Sequence, residues 1–222
     1  MRILILCSIL LMAGASNAQK LRFQISGQSD TTVHLIRYFG KGLYYADTGQ
    51  MVNGLVEFDG SKQKPGILAL FLPGQKLLEF IYNEEPELFI ESDMSDLMGM
   101  AKVKKSEENK IFLGYAQYIA KNRKELDGIV EQRKAHEEGS KEYKKFTDEI
   151  DAINEKVAAY QQDIIDNYFD KLVGKLIYMS QDIEVPEAPE NADGTIDSTF
   201  RFKYFRAHYW DHVDFKLSLI HI

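Results

Sequence analysis

The chain has 222 residues, 45% of them hydrophobic and 27% charged, with a net charge of −7 and one cysteine. That length holds one large domain or two small ones, with enough apolar residues to bury a core. The acidic balance argues against general affinity for nucleic acid or anionic lipid. Residues 1–18 read as a secretory signal peptide. Arg2 is the positive start, Ile3 to Met12 is an apolar run too short to span a bilayer, and Ser16-Asn17-Ala18 places small residues before a cleavage point. Cys7 sits too deep in that run to be a lipoprotein acceptor, because Leu4-Ile5-Leu6 lacks the small residues such a site requires. The mature chain is therefore expected to begin at Gln19, in the periplasm or cell envelope. It would carry no thiol, no disulfide and no membrane span.

From Lys20 to Ser92 the apolar period is two. Leu21, Phe23 and Ile25 alternate with polar residues, as a half-buried strand requires. Gly27 to Asp30 turns the chain into a β-branched and aromatic run from Val33 to Phe39, ended by Gly40-Lys41-Gly42. Leu43 to Ala46 reads as a short strand, followed by a separate one at Met51-Val52. Asn53-Gly54 then predicts a type I′ hairpin into Leu55 to Phe58, since both central residues tolerate positive φ. Pro73-Gly74 predicts a second turn, joining Ile67–Leu72 to Leu77–Tyr82. Asn83 to Pro86 breaks the chain before a last strand at Glu87–Ser92.

After Met100 the period becomes that of a helix. Phe112, Ala116, Ile119, Leu126 and Val130 share one face, and Phe146, Ile150, Ile153, Val157, Tyr160, Ile164, Tyr168 and Leu172 share another. Gly139-Ser140 separates them as breaker and N-cap, which predicts an antiparallel helical hairpin. Pro186, Pro189 and Asn191 to Gly194 form an exposed loop. The expected fold class is α+β, an N-terminal antiparallel β-sandwich or partly open barrel followed by a long helical hairpin. The expected divisions are 1–18 signal peptide, 19–100 β domain, 101–215 helical domain and 216–222 a truncation artefact.

Few constellations suggest chemistry. His208 and His212, four apart with Asp211 and Asp214 nearby, have the spacing of two zinc ligands on a helix over Thr199 to Val213. The position after the first histidine is Tyr209, not the glutamate of a zincin, and no third ligand can be located. Phe200-Arg201-Phe202-Lys203-Tyr204-Phe205-Arg206 interleaves aromatic and basic residues as RNA-stacking surfaces do, but lacks the accompanying glycines. An amphipathic packing element is the favoured reading, with Arg and Lys stems over aromatic faces. Glu84/Glu85 and Glu187/Glu190 are carboxylate pairs of the kind that acidic loops commonly hold. Gly40-Lys41-Gly42 lacks the spacing of a phosphate loop, and no nucleophile elbow is present. No catalytic, cofactor-binding or metal residue is assigned, and no cofactor or nucleic-acid partner is expected.

Three stretches resemble a known architecture. The strand-rich half, with Phe58-Asp59-Gly60 and Gly66-Ile67-Leu68-Ala69-Leu70, resembles an uncharacterised β domain that precedes thioredoxin-like domains in secreted bacterial proteins. Ser106-Glu107-Glu108-Asn109, with Phe112 and Tyr115, resembles the opening of the helical segment in the same proteins. Phe200 to Phe215 is similar to the aromatic tail of that segment, although His212 replaces a smaller polar residue. The resemblance implies the noncatalytic N-terminal region of an envelope thiol:disulfide interchange protein. A redox domain with Cys-x-x-Cys would follow in the same chain and envelope proteins would be its substrates. The chain reaches no such motif, and Leu217-Ser218-Leu219-Ile220-His221-Ile222 resembles a translated sequencing adapter. A free-standing envelope binding module is the alternative, and a metal-dependent enzyme using His208 and His212 is a third reading. N-terminal sequencing of the exported product should begin at Gln19, and that product should not react with a thiol reagent; retained, acylated Cys7 would overturn this.

Overall fold

The period-two pattern becomes two four-stranded sheets packed face to face. The computed structural model describes residues 19–39, 42–190 and 194–213. The signal-peptide and Cys7 readings, Gly40-Lys41, Asn191 to Asp193, Asp214, Phe215 and the 216–222 reading lie outside them. The strands are β1 (Lys20–Ser26), β2 (Thr31–Phe39), β3 (Gly42–Met51), β4 (Leu55–Asp59), β5 (Gly66–Leu72), β6 (Lys76–Tyr82), β7 (Glu87–Asp93) and β8 (Lys102–Lys105). One sheet runs β4-β1-β7-β8 and the other β3-β2-β5-β6. Every pairing is antiparallel except β1 with β7. A parallel pair needs a long crossover, and here the whole second sheet lies between the two strands in sequence.

Alternation decides what lies between the sheets. Leu21, Phe23 and Ile25 of β1 face Val33 and Leu35 of β2, Leu68, Leu70 and Leu72 of β5, and Leu78 and Phe80 of β6, all essentially inaccessible. The Phe23 and Phe80 rings lie 5.0 Å apart. Each such side chain contributes about 1.5–3 kcal/mol by leaving water, and the described residues contain no cysteine to cross-link the sheets. Both expected turns form. Asn53 and Gly54 have φ of 52° and 75°, and Val52 and Leu55 exchange backbone hydrogen bonds across them. A Cβ on Gly54 would lie 2.5 Å from the Ile25 carbonyl oxygen, so glycine is also required by close approach. Gly74, at φ 76°, reverses the chain between β5 and β6.

Two expectations change. Leu43–Ala46 and Met51 are parts of one long strand, β3, because Thr48, Gly49 and Gln50 pair in register with β2. Their apolar alternation is missing because β3 is an edge with one exposed face. The first sheet also continues past Met100 as β8, whose lysines lie on its exposed edge.

The helical half consists of α1 (Glu107–Lys134), α2 (Lys141–Tyr168), α3 (Leu172–Met179) and α4 (Phe200–His208). Ser106 Oγ accepts from Asn109 N at 3.0 Å to start α1, and Ser140 Oγ accepts from Tyr143 N at 3.1 Å to start α2. Gly139, at φ 86°, makes the reversal between them. At 1.5 Å per residue these 28-residue helices are each about 42 Å long. Leu172 does not continue α2; it opens α3 after a corner at Phe169 to Lys171. Gly174 permits that corner, since a Cβ there would lie 2.1 Å from the Tyr168 carbonyl oxygen.

One junction ties the helices to the sandwich. Asn109 is fully buried and clamps the outer edge of β6: its Oδ1 accepts from Ile81 N at 2.8 Å, and its Nδ2 donates to Ile81 O at 2.6 Å. Glu108, also buried, turns the other way. Its carboxylate accepts from Leu172 N at 2.9 Å, Val173 N at 3.0 Å and Asn83 Nδ2 at 2.9 Å. An anion at the start of α3 meets unpaired N–H groups and the positive end of the helix dipole. α3 has no side-chain cap from its own N-cap residue Lys171, so Glu108 supplies one from another helix. Around this junction Ile81, Ile164, Ile165, Val173 and Ile177 form a second core. Asn109→Ala would leave the Ile81 N–H and C=O buried and unpaired at about 1–3 kcal/mol each. Urea unfolding should therefore show a loss of about 3 kcal/mol for Asn109→Ala, while exposed Asn154→Ala changes stability by less than about 0.5 kcal/mol.

Candidate functional site

The site is assembled from α4, the segment leading to it, and one face of α2. Asp197 organises the start of α4: it accepts from Thr199 N at 2.8 Å, Thr199 Oγ1 at 2.6 Å and Lys203 Nζ at 2.8 Å. Those contacts, Lys203 first, hold its carboxyl well below the usual carboxylate range. α4 buries none of its residues. Phe202 is 68% exposed, and Phe205, Tyr209 and Trp210 are exposed as well. The Phe200–Arg206 run, read as an amphipathic packing element, is a surface helix with its largest aromatic side chains exposed.

α4 ends at His208, so His212 lies in the turn that follows instead of one helical turn further on. His208 Nδ1 lies 2.5 Å from Asp211 Oδ2, and its ring centre is 4.1 Å from that of Tyr204. His212 packs its ring 4.6 Å from Tyr178, and its Nδ1 is buried without a hydrogen-bond partner among the described residues. Both histidines open onto a cleft of about 550 Å³. Gln161 and Gln162 of α2 form one wall, and Ser180 to Glu184 form the floor with Asp182 and Glu184. Tyr204, His208, Asp211 and His212 close the other side. A smaller groove of about 190 Å³ adjoins it, lined by Met179, Ile183, Phe205, Tyr209 and Trp210.

Sequence reading found His208, Asp211 and His212 but missed Asp182, Glu184, Gln161 and Gln162. No local signal marks those four, because they come from separate segments that only the α2–α3 corner brings together. Asp214 lies outside the described residues. Among the described residues, no group of three or more His, Cys, Asp or Glu side chains is placed to hold a metal ion. The carboxylate pairs are dispersed: Glu85 Oε1 accepts from Glu107 N at 3.0 Å at the start of α1, whereas Glu187 and Glu190 are exposed. Among the described residues, no helix is long and apolar enough to cross a membrane.

The fold defines an α+β chain, a two-sheet sandwich carrying a helical hairpin. Residues 20–112 match a family described as "Domain of unknown function (DUF4369)", so a DUF4369 domain occupies the sandwich and the first turns of α1. Ser106, Glu108 and Asn109 fall inside it. No curated protein and no solved structure matches the chain. Protein purified without added metal should contain only background zinc, with no change in His208→Ala; stoichiometric zinc lost in that variant would restore the metal reading.

Proposed function

We propose that this chain is the noncatalytic N-terminal region of a cell-envelope thiol:disulfide interchange protein, in which the sandwich and helical hairpin position or select substrates for a thioredoxin-like domain in the same chain. The observation that carries this reading is the DUF4369 match over residues 20–112. It lies on the stretch whose strands and Ser106-Glu107-Glu108-Asn109 resemble the domain found ahead of such redox domains. The residues from 19 onward contain no cysteine, so thiol exchange would require a Cys-x-x-Cys elsewhere. The contacts of Glu108 and Asn109 with β6 and α3 support a positioning role, because they couple the hairpin to the sandwich.

A free-standing envelope binding module is the second reading, favoured by the cleft between α2 and α4, which belongs wholly to this chain. Genomic sequence read past the codon for Phe215 distinguishes the two. An open frame encoding Cys-x-x-Cys is expected, and the extended protein should reduce insulin disulfides while residues 19–215 alone do not. A verified stop codon at that point removes the first reading.

A further inference from the structure

α4 turns a basic and aromatic surface outward. At 3.6 residues per turn, Phe200, Tyr204 and His208 lie along one side of the helix. They are half-buried, whereas the rest of α4 is exposed, and their rings follow one another at 5.9 and 4.1 Å. The same spacing puts Phe202, Phe205 and Tyr209 in a strip on the opposite side, bordered by Arg201 and Arg206. Phe202 is 68% exposed, Tyr209 50% and Phe205 44%. α4 contains no acidic residue. Among the described residues neither Arg201 nor Arg206 has an ion pair or a hydrogen bond. Of the acids nearby, Asp197 is held by Lys203 and Asp211 by His208, and Asp182 lines the small groove beside Phe205 and Tyr209.

Shape and charge decide what this surface fits. The rings of Phe205, Tyr209 and Trp210 meet edge to face at 5.4 and 4.7 Å, and each contact covers a ring face on which a nucleic-acid base would stack. The adjoining groove, about 190 Å³, is smaller than the roughly 300–1,000 Å³ of sites that enclose an organic ligand. A helix that stands on the surface with aromatic rings between two arginines suits a planar interface instead, with rings at headgroup level and guanidinium groups on phosphates. The net charge of −7 opposes a general attraction to anionic surfaces. At physiological ionic strength, however, exposed charges more than about 8 Å apart are largely screened, so a local patch acts on its own. We infer that the outward side of α4 docks on the surface of an anionic phospholipid bilayer, Arg201 and Arg206 meeting headgroup phosphates while Phe202, Phe205 and Tyr209 enter the boundary between headgroups and acyl chains. The inference does not depend on a redox domain following in the chain.

Trp210 adjoins the strip and is the one tryptophan of the chain, so its emission reports on this surface. The exported protein, with its first residue established by sequencing, is titrated with vesicles of equal parts phosphatidylglycerol and phosphatidylcholine, and separately with phosphatidylcholine alone. The anionic vesicles are expected to shift Trp210 emission to the blue, and phosphatidylcholine brominated on its acyl chains, included in them, to quench it. Combined Arg201→Gln and Arg206→Gln should weaken partitioning about thirtyfold, from about fivefold per arginine. Phe202→Ser should weaken it about tenfold. Combined Lys121→Gln and Lys124→Gln removes the same charge from exposed positions of α1 and should leave partitioning unchanged. Circular dichroism establishes that the variants are folded. Absence of binding to the anionic vesicles, equal binding to phosphatidylcholine alone, bound protein whose Trp210 is not quenched by brominated lipid, or equal weakening in the two double variants would overturn the inference. So would a Trp210 response to oligouridylate with none to vesicles.

Discussion

The structure depends on adjacent side chains pointing in opposite directions from the first turn of α1. Asn109 reaches the backbone of Ile81 on β6, and Glu108 reaches the backbone N–H groups that open α3. A side-chain amide carries an acceptor oxygen and a donor nitrogen side by side, so it can both accept from a peptide N–H and donate to a peptide carbonyl at the same strand position. A carboxylate is suited to the start of a helix, where several N–H groups converge without acceptors. Exchanging these two residues would fail at both ends. Burial raises the penalty, because neither group can turn to water when its partner is lost.

That junction also solves an edge problem. An open sheet leaves unpaired strand edges that invite association. At β6 the edge is taken by Asn109 and by the packing of α1, while β8 presents Lys102, Lys104 and Lys105 on an exposed edge. Gln117, further along α1, donates to the carbonyl oxygens of Met98 at 2.9 Å and Ala101 at 3.0 Å, fixing the loop before β8. The helix thus completes the sandwich as much as it rests on it. This gives a physical reason for the DUF4369 match to run into α1 and not stop at the last strand.

Away from the junction the hairpin is more lightly packed. None of the residues of α1 beyond Asn122, and none of those of α2 before Ile164, is fully buried. Their apolar seam pairs the two helices with each other, and their outer faces carry charge. The cleft lies near the anchored end of α2, where the α2–α3 corner returns the chain alongside Gln161 and Gln162. Its lining residues come from α2, from the segment after α3 and from α4 with the turn that follows it.

Local chemistry was sufficient for the strands with apolar alternation, the Asn53-Gly54 turn, the Gly139-Ser140 break and the overall α+β division, because each depends on residues a few positions apart. Where residues are exposed or unpatterned, as in Thr48 to Gln50 and Lys102 to Lys105, strand formation came from pairing with distant partners, which periodicity does not record. The end of α2 was obscured for a related reason. Leu172 keeps the apolar spacing because it packs in the same core, although the chain has turned a corner made possible by Gly174 and captured by Glu108. His208, Asp211 and His212 were visible as a motif, but their spacing assumed a helix that stops at His208. Asp182, Glu184, Gln161 and Gln162 join them only in three dimensions. The sequence alone determined which segments alternate and which wind; the tertiary structure decided which polar groups would be spent inside the fold and which would face a common cleft, because that division depends on hydrogen bonds between segments far apart in the chain.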